Sequence, residues 1–458
     1  TFSVDISQIN NERERLNLLN AALKRGITLL YFPGHITVYL GADQEGVPRL
    51  FHAFADYQEV CDNQEGESKL RVNRVAVTDI YRGQGSTKGS YLNRGTRIVV
   101  LGGSPGPALA GLTNMRLPAP IVKPERKACR RTKNRARIFT SPRAPHRGQE
   151  TRLMVTRPSN DSPANLTLFG SNDQIIVPKL TRLGGPPYTY YSEPLTLSEG
   201  MWRAVYGEGQ DLHSCTHIEV KRKPSIPTLD ENIWTPEEEW SPHTETLFSA
   251  FVERLFQYPI EEDRSWTNLQ DVLNVTDKNI LFNHFSQDEE AQLKLKPDCA
   301  DLPYTLRAYF AWKMRLPFSY MTCTRGNKKK APQCMDRTDS LVPRQGKTLG
   351  NDFQWFARKG VAGHVHSASA RTLPQDQETE LYPVALNRET LRPGIVFADP
   401  YGHILLIAGW EKQPLNGYGI LIGADGQPDG TIGRRRFWEG SFLFDPDTKV
   451  VGAGFKAF

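Results

Sequence analysis

The sequence predicts an α+β protein of several domains, on three observations. Short β-rich runs dominate the first hundred residues and the stretch 136–220, one long amphipathic helix stands at 299–316, and apolar strands follow it toward the end of the chain. At roughly 100–200 residues per domain, 458 residues make two to four domains. A hydrophobic fraction of 38% with 24% charged residues excludes a disordered or fibrous chain. The net charge of +6, from 57 Lys and Arg against 51 Asp and Glu, is small for this length and points to no nucleic-acid partner. The basic clusters at 123–137, 328–330 and 434–436 read as solvated faces or linkers. No apolar run approaches the roughly 18 residues that a transmembrane segment needs. Residues 1–10 lack the basic-then-apolar pattern of a signal peptide, and Thr1 in place of Met agrees with a mature form whose leader has been removed.

Taken in order, residues 6–25 carry leucines and isoleucines at helical spacing with charges between them, which predicts one amphipathic helix. A β-rich run at 27–32 and a second at 34–41 follow. After a turn at 42–48 come strands at 49–54, 74–79 and 96–101. The Gly/Pro-rich run that begins at Gly102 ends a first unit, 1–104, and opens a Pro-rich basic linker, 105–135. Within 136–222 alternating runs at 153–156, 166–169, 174–177, 188–191 and 217–220 recur between turn signals. Strands at that spacing predict a β-sandwich in the middle of the chain. The last domain, 223–458, carries helical patterns at 244–257 and 265–285, the strong helix 299–316, a long polar connection, and strands at 394–398, 403–409 and 418–425.

Six cysteines, at 61, 129, 215, 299, 323 and 334, are too few for a disulfide scaffold in so long a chain, and no CxxC pair marks a structural zinc site. Cys323 and Cys334 bracket a short polar segment that can close as a disulfide loop in an oxidising compartment. His213, Cys215 and His217 alternate along a strand and would share one face. Without a fourth ligand they read as a half-buried strand, so neither a metal nor another cofactor is expected.

Chemistry concentrates at Cys299. Leu302, Leu306, Tyr309, Phe310 and Met314 fall on one helical face, Asp298 stands at the N-cap, and Pro317 ends the helix. Cys299 would then lie in the first turn, where unpaired N–H groups and the helix dipole favour a thiolate. A nucleophilic thiolate needs a base on a rigid element. His403, at the mouth of an apolar strand and after Gly402, is the candidate base. Counting outward from the loop 411–417, His403 falls opposite Asp425, which would orient the imidazole. Gln427 shares that face and takes the role if the register slips.

These residues also carry a resemblance. DCADL at 298–302, then PGIVF at 393–397 and GHILLI at 402–407, resembles the NlpC/P60 cysteine peptidases, whose pattern runs DCSG, GDLVFF and GHVGIY. The resemblance spans about residues 280–445. It implies a papain-like unit at the C-terminus, and hydrolysis of amide bonds in peptidoglycan stem peptides by a periplasmic or secreted bacterial protein. Carried over by position, Cys299 matches the nucleophile, His403 the base and Asp425 the polar third residue, although that third residue is more often His, Asn or Gln in the family. The insert 323–372 departs from the pattern and could cover or remodel the cleft. The N-terminal run FPGHITVYLG at 32–41 with LFHA at 50–53 resembles the same hairpin a second time, with His35 as base and His52 as third residue. No cysteine precedes His35, so 1–104 is expected to be a partial papain-like unit without its nucleophile. Two alternatives stay open: a catalytically silent papain-like protein that binds or assembles in the cell envelope with a protein partner, and an amidase or acyltransferase acting on a non-wall amide.

Overall fold

A computed structural model describes residues 2–9, 11–32, 35–60, 67–103, 129, 135–157, 164–171, 174–208, 211–225, 227–260, 262–411, 419–436 and 451–458. Most of the basic linker, Cys61 and most of the loop 411–417 lie outside the described residues. Helix accounts for 18% and strand for 36%, in several antiparallel sheets, so the class is α+β. The chain divides into two compact units, Thr1–Pro120 and Ile121–Phe458.

The first unit is built on strands β1 (Phe2–Asp5), β2 (Ile27–Phe32), β3 (His35–Ala42), β4 (Pro48–Val60), β5 (Glu67–Asp79) and β6 (Arg97–Leu101), ordered β1-β6-β2-β3-β4-β5. Helix α1 (Glu12–Leu23) is shorter than the expected 6–25, because Asn11 caps it: its side chain accepts from the Glu14 amide at 3.1 Å. Phe2–Asp5 pair with β6 as a strand, and a turn at Ser7 and Gln8 separates them from the helix. Leu18, Leu19 and Ala22 of α1 join a core with Leu30, Tyr39, Leu50 and Ile98 from one face of the sheet. Arg15, buried, donates to the carbonyls of Leu92, Asn93 and Gly95, tying the helix to the start of β6. A short helix, α2 (Tyr91–Arg94), precedes that strand.

In the second unit, β7 (Arg137–Ser141), β8 (Glu150–Thr156), β11 (Leu180–Leu183), β12 (Thr189–Ser192) and β13 (Leu195–Thr196) form one sheet. A second contains β9 (Asn165–Phe169), β10 (Ile175–Ile176), β14 (Gly200–Glu208) and β15 (Asp211–Val220). Leu153 and Val155 of the first share one apolar cluster with Leu168, Trp202, Tyr206 and Ile218 of the second. Among these strands β7, β11, β13 and β14 have no counterpart in the sequence reading, because short or mixed-burial strands carry little period-2 signal.

The remainder is a seven-stranded antiparallel sheet with helices against it. Its order is β16-β23-β22-β21-β20-β24-β19, from β16 (Arg264–Trp266), β19 (Tyr382–Pro383), β20 (Val396–Ala398), β21 (Ile404–Glu411), β22 (Ile420–Gly426), β23 (Ile432–Arg436) and β24 (Gly454–Ala457). The expected helix 265–285 is corrected: β16 opens the segment, α4 (Leu269–Leu273) is brief, and turns follow. Helices α3 (Pro242–Leu255) and α5 (Asp301–Met314) share the large core with Ile404, Leu406, Ile422 and Ala424. A separate hairpin, β17 (Ser319–Cys323) and β18 (Cys334–Asp339), follows α5 and is closed by a Cys323–Cys334 disulfide. Arg434 corrects the reading of 434–436 as a solvated face: it is 4% exposed and donates to the carbonyls of Phe256, Tyr258, Pro259 and Glu262. No helix among the described residues is long and apolar enough to cross a membrane.

Candidate active site

The candidate nucleophile sits just ahead of a helix. Helix α5 begins at Asp301 rather than 299, so Cys299 occupies the turn leading into it. Asp298 still caps that turn: its Oδ1 accepts from the amides of Ala300 at 2.8 Å and Asp301 at 3.1 Å, and its carbonyl accepts from Leu302 at 3.0 Å. The helix also ends before Pro317. Arg315 takes the left-handed conformation at φ 53°, and the Leu316 amide reaches back to the Ala311 carbonyl at 2.8 Å. Farther along α5, Lys313 is fully buried and donates to Glu289 and Glu290, while Tyr309 donates to Glu290 at 2.6 Å. The helix that presents Cys299 is therefore fixed from its far end.

His403 arrives through a tight turn. The Asp399 amide donates to the His403 carbonyl at 2.9 Å, the Tyr401 amide to Asp399 Oδ1 at 2.6 Å, and Gly402 adopts φ 115°, which a side chain would strain. Beneath the turn lies Arg371, from the insert. It donates to the Pro400 carbonyl at 3.2 Å and to Ser367 Oγ at 3.4 Å, and a Cβ on Gly402 would stand 3.9 Å from its guanidinium. Burial lowers the Arg371 pKa, opposed by the charges of Asp399 and Cys299.

Asp425 meets His403 by a route different from simple counting. An irregularity between Ile407 and Gly409 adds a residue to β21, and the paired ladder stops at Leu406 opposite Ala424. His403 Nε2 nonetheless lies 2.9 Å from Asp425 Oδ2. The same oxygen accepts from Gln427 Nε2 at 2.9 Å and pairs with Arg435 at 3.0 Å. Gln427 thus supports Asp425 and does not replace it. Asp425 pairs across strands with Gly433, where a Cβ would stand 2.9 Å from Asp425 Oδ1. Arg371, Arg435 and Gly433 are not among the site residues expected from the sequence. Arg435 lay within a basic run already noted, and nothing in the sequence separates it from Arg434.

The three expected residues come together. The His403 pKa is raised to about 10, first by the hydrogen bond to Asp425 and next by the hydrogen bond with Cys299, against burial. Asp301 is raised to about 7, by burial and then by the Asp298 charge. Cys299 is half-buried and is the free cysteine among the described residues. Imidazole and carboxylate are thus hydrogen-bonded, with the Cys299 thiol close enough to raise the ring's pKa, an arrangement that can generate a nucleophile and hold a proton ready for a leaving group.

The first unit holds a second imidazole series. His35 Nε2 lies 2.7 Å from His52 Nδ1, and His52 Nε2 lies 2.7 Å from Thr78 Oγ1. Burial depresses both, with Arg94 adding to the effect on His35, and His52 falls to about 4 with help from His35. Thr78 is the member the sequence did not reveal. The strand residues His213, Cys215 and His217 are not a ligand set: Cys215 is bonded to Cys129, His213 is buried, and His217 is exposed. No group of three His, Cys, Asp or Glu among the described residues is placed to hold a metal ion.

No protein-family model matches the chain, and no curated protein is significantly similar to it.

Proposed function

We propose that residues 223–458 are a papain-like cysteine hydrolase of the NlpC/P60 type, cutting amide bonds in peptidoglycan stem peptides. The observation that carries this reading is the grouping of Cys299, His403 and Asp425, which brings the turn before α5 to the adjacent strands β21 and β22. With the proton on His403, Cys299 attacks the amide carbonyl as the thiolate and a C–S bond forms. The carbonyl oxygen takes up negative charge beside the Cys299 backbone N–H. As the C–N bond breaks, His403 gives its proton to the leaving amine. His403 then takes a proton from water as the water oxygen attacks the thioester; the C–S bond breaks, the acid leaves, and the Cys299 thiolate again stands beside a protonated His403. The disulfides Cys129–Cys215 and Cys323–Cys334 support a periplasmic or secreted setting, since such bonds persist in oxidising compartments. On this proposal the N-terminal unit is a partial papain-like unit, and the two-sheet region is a β-sandwich that holds a ligand or envelope partner.

One observation favours the silent alternative: Arg435 pairs with the same Asp425 oxygen that His403 uses, which draws negative charge away from the imidazole. Alkylation at neutral pH separates the two readings. Cys299 should react with iodoacetamide well faster than a free cysteine peptide, and Cys299→Ala should abolish release of new amines from purified muropeptides while leaving the fold intact. A Cys299 as slow as the peptide, or amine release that persists in the variant, removes the hydrolase assignment.

A further inference from the structure

We infer that the outer face of the N-terminal sheet is the contact surface for a second copy of this chain. An antiparallel sheet with one face on a core ordinarily turns polar residues toward water on the other. Here α1 covers the inner face, where Leu30, Tyr39, Leu50 and Ile98 are fully or almost fully buried. On the opposite face the register lines up Val99, Leu29, Val38, Phe51 and Val77 in one row across five strands. Above and below that row stand Ile27, Ile36 and Val75, which are 60%, 52% and 58% exposed.

Eight large apolar side chains on these strands are exposed. Together they present on the order of 800 Å², about one partner's share of a standard stable interface. That exceeds the few hundred Å² of a typical monomer's largest apolar patch. Charged side chains stand at its margins, with the Asp43–Arg49 pair at one end, Asp5 on the edge strand β1 and Arg97 on its neighbour β6. An apolar centre with a polar rim is the anatomy of a protein interface.

The chemistry selects a second copy as the occupant. A centre without charges offers nothing with which to choose an unlike partner by electrostatic complementarity. A twofold contact sets the same patch against itself, matches area to area and leaves none of it uncovered. Two such sheet faces would stack about 10 Å apart with their side chains interdigitated. This inference is independent of the hydrolase reading.

Sedimentation of the full chain over a concentration series from nanomolar to high micromolar tests it. The expected result is a monomer–dimer equilibrium dominated by dimer at micromolar concentration. Phe51→Glu places a charge at the centre of the row in each copy and should raise the dissociation constant at least a hundredfold, with the circular dichroism unchanged. Val77→Lys asks the same of a separate exposed position should the first variant fail to fold. A wild-type chain that stays monomeric throughout overturns the inference, whether the face is then found against another part of the chain or the chain floats with lipid vesicles. A dimer whose dissociation constant neither substitution alters overturns it equally.

Discussion

His403 and Asp425 are joined at 2.9 Å across the open end of a strand ladder, the ring 41% exposed and the carboxylate fully buried. The exposed partner can reach a substrate while the buried one has a single orientation, held by Gln427, Arg435 and the space that Gly433 leaves. This is the geometry of an imidazole aimed by a group behind it.

Asp425→Asn should keep the fold and lower amide turnover by roughly 10²–10⁴-fold, the range general acid–base groups supply. Steady-state rates on a muropeptide, with thermal unfolding as the control, measure it. Unchanged turnover would mean that Asp425 does not aim His403.

The His403 pKa of about 10 exceeds the unfolded value of about 6.5, so the folded state favours the protonated ring. Its contribution to stability is complete below about 6.5 and disappears as pH rises through about 10. The stability advantage of the wild type over His403→Gln, taken from urea titrations at several pH values, should shrink across that window. Turnover should fall near pH 10 as the leaving amine loses its proton donor, and in Asp425→Asn that limb should move toward 6.5. A limb that does not move argues against the carboxylate as the main cause.

Arg371 grips the turn that carries His403 and faces Cys299 electrostatically. Arg371→Gln should slow alkylation of Cys299 about tenfold, the scale of a lost charge-assisted hydrogen bond. Arg371→Lys, which keeps the charge, should recover part of the rate. Equal rates in all three proteins would show that the insert merely borders the site.

Lys313 lies fully buried against Glu289 and Glu290 on the helix that presents Cys299. Removing one member of such a group leaves uncompensated buried charge, so Lys313→Met should cost about 3–5 kcal/mol in denaturant unfolding. Adding Glu289→Gln and Glu290→Gln should restore most of it. A mild loss in the single variant would mean that the two glutamates are held protonated without the lysine.

In the first unit, His52 is held neutral with a pKa near 4, below its unfolded value. Its contribution to stability is therefore present above about 6.5 and lost as pH falls through about 4. Hydrogen exchange on the full chain should reveal β3 and β4 opening over that interval, earlier than the sheet around Asp425. Uniform protection down to pH 4 would contradict a buried neutral pair.

What was legible in the sequence was what local pattern encodes. The helix α5 and the strands around His403 and Asp425 follow from spacing and residue type. The one-sided apolar stripe does not, since every residue from Asp301 to Lys313 is buried, and the helix's N-cap is Ala300, with Asp298 capping the turn before it. Two further features within the same stretch were not legible. The extra residue in β21 changes which side chains oppose each other, and no periodicity announces it. Arg434 and Arg435 are adjacent in an exposed-looking basic run, yet one is clamped inside by four carbonyls and the other pairs with Asp425. Strand alternation alone separates them, and it becomes informative only once the neighbours of β23 are known.

By itself the amino-acid order determined the α+β class, the candidate residues Cys299, His403 and Asp425, and the elements that bear them, because each is a matter of short-range propensity and pattern. Only the tertiary structure decided that these three meet, that Arg371 from the insert and Arg435 from the next strand join them, and that one face of the N-terminal sheet presents exposed apolar side chains such as Ile27, Phe51 and Val75. Those outcomes depend on packing between segments tens to more than a hundred residues apart, and contacts of that span are written in no local run of the chain.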